Sequence, residues 1–168
     1  MKLTKSHLTS LLLALTVITG VGACSTIDDG SYVEPIRLYE KIEGKWVLNS
    51  LIQTDETNAK NITLTNELNF DTFVLSLNCD QNGQPTTFSV EGTAPELLPL
   101  QGVWTLDNPF TKSDGTAVQL LLKGKGDSQR LTITTVSGNS QTLEFKLLRT
   151  VSGKPFVSYT YNLMQSEK

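Results

Sequence analysis

The chain has 168 residues, of which 38% are hydrophobic and 18% are charged. This composition is too apolar for a disordered chain, and the length suits one domain with a short additional segment. The formal net charge is -3 and the isoelectric point is near 5.1, so the chain lacks the basic surface that binds a phosphate backbone. We therefore expect one globular domain and no nucleic-acid partner.

Residues 1–23 have the organisation of a secretory signal peptide. Lys2 and Lys5 precede an apolar stretch that ends in small residues, and the first acidic residue is Asp28. A membrane-spanning helix is the alternative, but it needs about 20 predominantly apolar residues, and polar residues and glycines interrupt this stretch. The sequence therefore predicts a leader that is removed from the mature protein.

The segment Val21–Cys24 directly follows the apolar stretch and resembles the lipobox of bacterial lipoproteins. The resemblance implies cleavage before Cys24 and attachment of a diacylglycerol to its thiol. Acyl chains hold a protein on a membrane because each buried methylene contributes about 0.8 kcal/mol. We therefore expect a lipid anchor at Cys24 and a membrane as a partner.

Residues 24–34 are expected to form a polar tether behind the anchor. In lipoproteins of the enteric type, an aspartate directly after the acylated cysteine resembles an inner-membrane retention signal. This chain has Ser25 at that position, which implies the outer membrane. Asp28 and Asp29 resemble the surface-export signal of Bacteroidetes lipoproteins, and the same two acids also suit a solvated tether. The expected location is the cell envelope, on the outer membrane or at the cell surface.

Removal of the leader takes away His7, which is the only histidine of the chain. Histidine is the commonest catalytic base and a frequent ligand of metals and haem. We therefore expect no enzymatic activity, no metal site and no cofactor. With Cys24 acylated, Cys79 is the remaining thiol, so no intramolecular disulfide can form and the thiol is expected to be unreactive.

After the tether, the chain reads as one short helix followed by strands. Pro35 suits the first turn of a helix, and Gly44 suits the position after its end. Apolar residues recur at helical spacing between them, at Ile36, Tyr39 and Ile42. Nine later segments alternate apolar and polar residues or are rich in β-branched and aromatic residues, which predicts strands. These segments are 45–53, 61–65, 72–78, 86–91, 102–106, 117–123, 130–136, 141–150 and 156–163.

Short turn segments such as Asn82-Gly83 and Ser152-Gly153 separate many of these strands, so strands that are neighbours in sequence should be antiparallel neighbours in space. A meander has two exposed edges unless it closes on itself. We therefore predict that residues 35–168 form an all-β, antiparallel up-and-down barrel of about eight strands with a short N-terminal helix. A β-sandwich is the alternative, and it would need a long connection between residues 91 and 102.

A short helix followed by the segment Gly44–Trp46 at the start of the first strand resembles the beginning of the lipocalins. The strand count, the meander order, the size of the mature domain and the lipobox are similar to those of lipocalin-like lipoproteins of Bacteroidetes. Some of those families are domains of unknown function. The resemblance covers residues 36–163 and implies a calycin-type barrel with a place for a ligand.

An eight-stranded barrel is either filled by its own side chains or holds one small ligand. Aromatic residues on the predicted apolar faces are candidate ligand contacts, because tyrosine and tryptophan combine an apolar body with a polar handle. Packing between strands explains the same residues. The candidates are Trp46, Phe73, Trp104, Tyr159 and Tyr161.

Two functions therefore compete. The first is a lipoprotein whose barrel binds a small apolar or amphipathic ligand. The alternative is a non-enzymatic surface interaction module, in which a filled barrel contacts a partner protein or glycan of an envelope complex through loops 92–102 and 107–116. A cavity of some hundreds of cubic ångströms in the lumen would favour the first function. A packed lumen with an exposed apolar patch would favour the second.

Overall fold

A computed structural model describes residues 36–95, 97–136 and 141–166. The predicted leader, the tether and Cys24 lie outside the described residues. One short helix, α1 (Leu38–Ile42), precedes the strands, and a 3-10 turn (Phe70–Thr72) precedes the third of them. The strands are β1 (Gly44–Asp55), β2 (Lys60–Thr63), β3 (Val74–Cys79), β4 (Pro85–Glu91), β5 (Gln101–Leu106), β6 (Gln119–Lys123), β7 (Ser128–Thr135), β8 (Thr142–Val151) and β9 (Lys154–Gln165).

All nine predicted strands are present, and every strand pairing is antiparallel. From β3 to β9 the strands follow one another around the sheet in chain order, and β1 pairs with both β3 and β9. This closes β1 and β3–β9 into an eight-stranded barrel, while β2 is an additional strand on the second half of β1. The up-and-down barrel is confirmed, and the sandwich alternative is wrong because the sheet closes on itself.

Helix α1 covers one end of the barrel, which we call the helix end. The helix is shorter than the sequence pattern predicts, and Ile36 precedes it and is exposed. Leu38 and Ile42 are buried instead, because residues four apart share one face of a helix. The indole N–H of Trp46 donates to the carbonyl of Ile42 at 2.8 Å, and the Leu38 N–H donates to the carbonyl of Pro109 at 2.8 Å. These two bonds tie the helix to the barrel.

Side chains from all eight barrel strands fill the lumen. Buried positions alternate with more exposed ones along the strands, as the predicted pattern of β8 requires. Burying an aliphatic or aromatic side chain of this size contributes about 1.5–3 kcal/mol. One or two buried members from each strand are Trp46, Leu51, Leu75, Leu77, Phe88, Trp104, Leu120, Leu122, Leu131, Leu143, Phe145, Tyr161 and Leu163, none of them more than 2% exposed.

The β8–β9 hairpin projects from the opposite end of the barrel, which we call the arm end. Pairing of β8 with β7 extends only as far as Lys146, whereas β8 pairs with β9 up to the two-residue turn Ser152-Gly153. Both turn residues have a positive φ, 51° and 75°, as in a tight hairpin turn. We call the nine exposed residues 148–156 the arm. At a rise of about 3.3 Å per residue, β8 reaches about 16 Å beyond Lys146.

The arm end is also covered by packed side chains. Phe70, the first residue of the 3-10 turn, and Phe73, directly after the turn, belong to the hydrophobic core, and Leu98 joins it from the loop between β4 and β5. The lumen is therefore plugged at both ends by segments of the chain itself. Within the described residues, no helix has the length and apolarity that a membrane span requires.

Candidate functional site

The five aromatic residues predicted to contact a ligand belong to the core or pack against it. Trp46, Phe73, Trp104 and Tyr161 are at most 2% exposed, while Tyr159 is half-buried. The structure brings Phe73 and Tyr161 together, with ring centroids 5.4 Å apart. Four of the five are covered by other side chains, and ligand contact by these residues stays a prediction.

Both tryptophans use their polar handles inside the protein. The indole N–H of Trp104 donates to the carbonyl of Asn78 at 2.8 Å, as that of Trp46 does to Ile42. The Trp104 ring also meets Tyr39 of α1 edge to face, with centroids 6.4 Å apart. These residues hold the helix end together, and their N–H groups are already engaged.

Tyr161 is different because its hydroxyl is buried without a hydrogen-bond partner among the described residues. Its ring stacks on Phe145 at 4.9 Å and lies against Phe73. Burial raises the pKa of the Tyr161 phenol, and the neighbouring Tyr159 raises it further. A buried hydroxyl without a partner costs about 1–3 kcal/mol, so this group is the chemically unexplained feature of the lumen.

One row of side chains near the arm end leads from the lumen towards solvent. Ile62, Gln53, Tyr159 and Leu147 stand in register across β2, β1, β9 and β8. Leu147 is buried, whereas its partner Tyr159 and the next residue of the row, Gln53, are only partly buried. Tyr161 lies two residues beyond Tyr159 on the same face of β9. Tyr159 is therefore the candidate aromatic residue closest to solvent.

Several pockets lie on the surface of the described residues, and four of them contain none of the predicted ligand-contact residues. The two loops that the sequence marks as contact loops line three of the four. The β4–β5 loop, residues 92–100, surrounds a pocket of about 420 Å³. The β5–β6 loop, residues 107–118, lines one pocket of about 340 Å³ beside α1 and a second of about 410 Å³.

The β4–β5 loop is held in a fixed shape. Gly92 has φ 72°, and a Cβ at this position would lie 2.0 Å from the carbonyl oxygen of Thr72. The Thr93 N–H donates to the Thr72 hydroxyl at 2.9 Å, and the Val90 N–H donates to the carbonyl of Leu100 at 2.7 Å. Leu100 nevertheless has 69% of its surface exposed. The loop therefore presents an apolar side chain on an ordered support.

The polar groups of the β5–β6 loop are engaged with one another. Asp107 accepts hydrogen bonds from the Gln119 N–H and from Lys112 Nζ, both at 2.8 Å. Asp114 accepts from the hydroxyl and the N–H of Thr116, and these bonds lower the pKa of the Asp114 carboxyl. In the described part of the chain, no three His, Cys, Asp or Glu side chains are placed to hold a metal ion.

The Cys79 thiol lies half-buried at the end of β3. Burial and the nearby carboxylates Glu43, Asp80 and Glu40 raise the pKa of this thiol to about 11. The thiolate is the nucleophilic form, so at neutral pH this group is almost entirely in its unreactive form.

Exposed apolar side chains concentrate at the arm end. Among the described residues, six of the nine large hydrophobic side chains that are exposed lie there. These exposed residues were not predicted from the sequence, although residues 147–151 carry apolar side chains at both odd and even positions, which is a sign of a strand that is not simply half-buried. The six residues are spread around this end of the barrel and are Ile62, Leu68, Leu100, Leu148, Val151 and Phe156.

The fold and these features define a closed eight-stranded antiparallel barrel with a packed lumen and pockets formed by its loops, which is consistent with the predicted lipocalin-like fold. The chain belongs to the family described as a domain of unknown function, DUF5004, whose model matches residues 22–164. No curated protein matches the chain, and no solved structure does.

Proposed function

We propose that the protein is a non-enzymatic interaction module of the bacterial cell envelope, anchored through acylated Cys24, that contacts a partner protein through the loops of its barrel. The lipobox-like segment Val21–Cys24 and the apolar leader support the anchor and the location on the outer membrane or cell surface. The absence of histidine after residue 7 supports a non-catalytic role.

The packed lumen is the observation that carries this proposal. Ligand pockets typically have volumes of about 300–1,000 Å³ and bury most of the ligand surface. Here each of the eight strands buries at least one large side chain in the lumen with at most 2% exposure, and both ends are plugged. Binding energy is therefore expected from the outer surface, as in a filled barrel that serves as a scaffold for its loops.

The β4–β5 loop is the best contact site on that surface. Its pocket is lined by Val90, Leu98, Leu100 and the segment Gly92–Pro95. Apart from the Thr93 hydroxyl, the side chains of this lining are apolar, which suits an apolar side chain of a protein better than a sugar. Exposed Leu100 on its rim is the expected energetic centre of the contact.

A photo-crosslinking residue placed at Leu100 tests this site in the native cell envelope. The matched control is the same residue at Val103, which is 53% exposed on the neighbouring strand. We expect a discrete crosslinked partner from position 100 but not from position 103, and loss of that partner on Ala94→Arg, which fills the pocket with a charge. Equal crosslinking from both positions, or none from position 100, would refute the contact site.

A small amphipathic ligand remains the second candidate because of the Tyr161 hydroxyl. A ligand that entered beside half-buried Tyr159 and displaced Phe73 would give this hydroxyl a partner. A ligand at 100 times its dissociation constant would add about 2.7 kcal/mol to the free energy of unfolding. A saturable shift of the melting temperature, absent from Tyr161→Phe, would favour this function over the first.

A further inference from the structure

The arm combines exposed apolar side chains with two cations. Leu148, Val151 and Phe156 have 46%, 59% and 53% of their surface exposed. Arg149 and Lys154 are exposed as well, and the described residues offer them no ion pair. Residues 148–156 contain no acid, although the whole chain carries a net charge of -3. The arm is thus a basic, apolar projection from an acidic protein.

The apolar residues of the arm lie on both of its faces. Leu148 and Val151 point to opposite faces, because side chains alternate along β8. Lys154 lies directly opposite Val151, and Arg149 lies two residues before Val151 on β8, so the two cations share a face with Val151. A protein docked against one face of the arm would leave either Leu148 or Val151 in water. A lipid bilayer that surrounds the tip would cover both residues.

The base of the arm is fixed to the barrel. Glu56 accepts a hydrogen bond from the Ser158 hydroxyl at 2.6 Å and pairs with Lys146 Nζ at 2.7 Å. The Glu56 N–H also donates to the carbonyl of Phe156 at 3.0 Å. These contacts join the end of β1 to both strands of the hairpin, so the arm leaves the barrel in a defined direction.

We propose that the arm is a membrane contact whose tip enters the interface of a bilayer that contains anionic lipids. Val151, Leu148 and Phe156 would lie at the boundary between headgroups and acyl chains, and Arg149 and Lys154 would pair with lipid phosphates. In the eight-strand order the β8–β9 hairpin lies opposite the β4–β5 hairpin. The arm is therefore separate from the proposed partner-binding loop, and the two proposals can fail independently.

A fluorescent label on the arm tests the proposal with the full chain. Thr150→Cys is introduced into a chain carrying Cys24→Ser and Cys79→Ser, so that position 150 holds the label. The control is Asn82→Cys in the same background, an exposed turn between β3 and β4 at the helix end. Vesicles of phosphatidylcholine, with or without phosphatidylglycerol, contain brominated lipid that quenches dyes at the interface. Any attachment through the leader is common to both labelled chains.

We expect quenching at position 150 and not at position 82, and stronger quenching on the anionic vesicles. Each cation near an anionic surface contributes about 1 kcal/mol, so Arg149→Gln with Lys154→Gln should weaken insertion about thirtyfold. Val151→Ser with Phe156→Ser should abolish quenching on both vesicles. Equal quenching at positions 150 and 82, or quenching that ignores lipid charge, would overturn the proposal. A photo-crosslinking residue at position 150 in the native cell envelope gives the alternative outcome. A discrete protein crosslink there, together with no quenching on vesicles, would also overturn the proposal.

Discussion

Replacing Tyr161 with phenylalanine removes a hydroxyl that is buried without a partner among the described residues. The ring, its stacking on Phe145 and its contact with Phe73 are all retained. An unpartnered buried hydroxyl costs about 1–3 kcal/mol, so Tyr161→Phe should raise the free energy of unfolding by about 1–2 kcal/mol. For a domain of this size that is a rise of about 3–5 °C in melting temperature per kcal/mol.

Urea denaturation followed by tryptophan fluorescence measures this change, with Tyr159→Phe as the matched control. Tyr159 is half-buried, so its hydroxyl can reach water, and its replacement should change stability by less than about 0.5 kcal/mol. A loss of about 1 kcal/mol in Tyr161→Phe would refute the reasoning. That result would mean that the hydroxyl already has a partner in the free protein, and it would remove the observation on which the small-ligand function rests.

The difference in stability between wild type and Tyr161→Phe should depend on pH in the alkaline range. The folded state raises the pKa of Tyr161 above its ordinary value of 10.0 because burial disfavours the phenolate. Below about pH 10 the phenol is neutral in both the folded and the unfolded state, so its ionisation does not affect stability. Above that pH the unfolded state ionises first, and the wild type loses stability as the pH rises. The stability advantage of Tyr161→Phe over wild type should grow between pH 9 and 11, at about the pH of tyrosine ionisation. A constant difference across this range would contradict the buried position of the phenol.

Three further predictions concern other parts of the fold. Hydrogen bonds from Lys146 and the Ser158 hydroxyl lower the pKa of Glu56, so its stabilising contribution is lost in acid. Glu56→Gln should therefore lower the urea midpoint at pH 7, and the difference from wild type should shrink as the pH falls below the ordinary pKa of glutamate. With a pKa of about 11, Cys79 should be alkylated about two hundredfold more slowly at pH 8 than an ordinary thiol, with a rate that rises up to pH 11. Trp46→Phe leaves the Ile42 carbonyl without its donor and should cost about 1–3 kcal/mol in thermal unfolding, whereas an effect below 0.5 kcal/mol would contradict the role of this bond in holding α1.

Much of the barrel could be predicted from local patterns. Alternation along β8 and β9 identifies which residues face the core, and short turns such as Ser152-Gly153 identify antiparallel neighbours. Closure follows from the general cost of exposed strand edges and not from any single residue. The extra strand β2 was visible as a segment, but its place outside the barrel depends on the length of β1, which pairs with β2, β3 and β9 along different stretches.

The candidate sites were harder to predict, because the alternation of apolar and polar residues shows which side chains face the lumen but not whether the lumen has room for a ligand. Trp46 and Trp104 satisfy every sequence criterion for lining a lumen, yet whether a lumen is open depends on side chains that arrive from distant segments. Phe70 and Leu98 help to plug the arm end from segments between strands, whose paths no periodicity describes. The length of the arm was also harder to predict, since the sequence does not show where β8 loses its neighbour β7, which the structure places after Lys146.

A ligand panel on the mature chain tests the packed lumen most directly. Melting temperatures would be measured with fatty acids, sterols, bile acids, quinones and oligosaccharides, each titrated to saturation. The filled barrel predicts no saturable shift with any apolar compound, because the side chains of all eight strands occupy the lumen. A saturable rise of several degrees with one chemical class, corresponding to about 2.7 kcal/mol at 100 times the dissociation constant and absent from Tyr161→Phe, would contradict it.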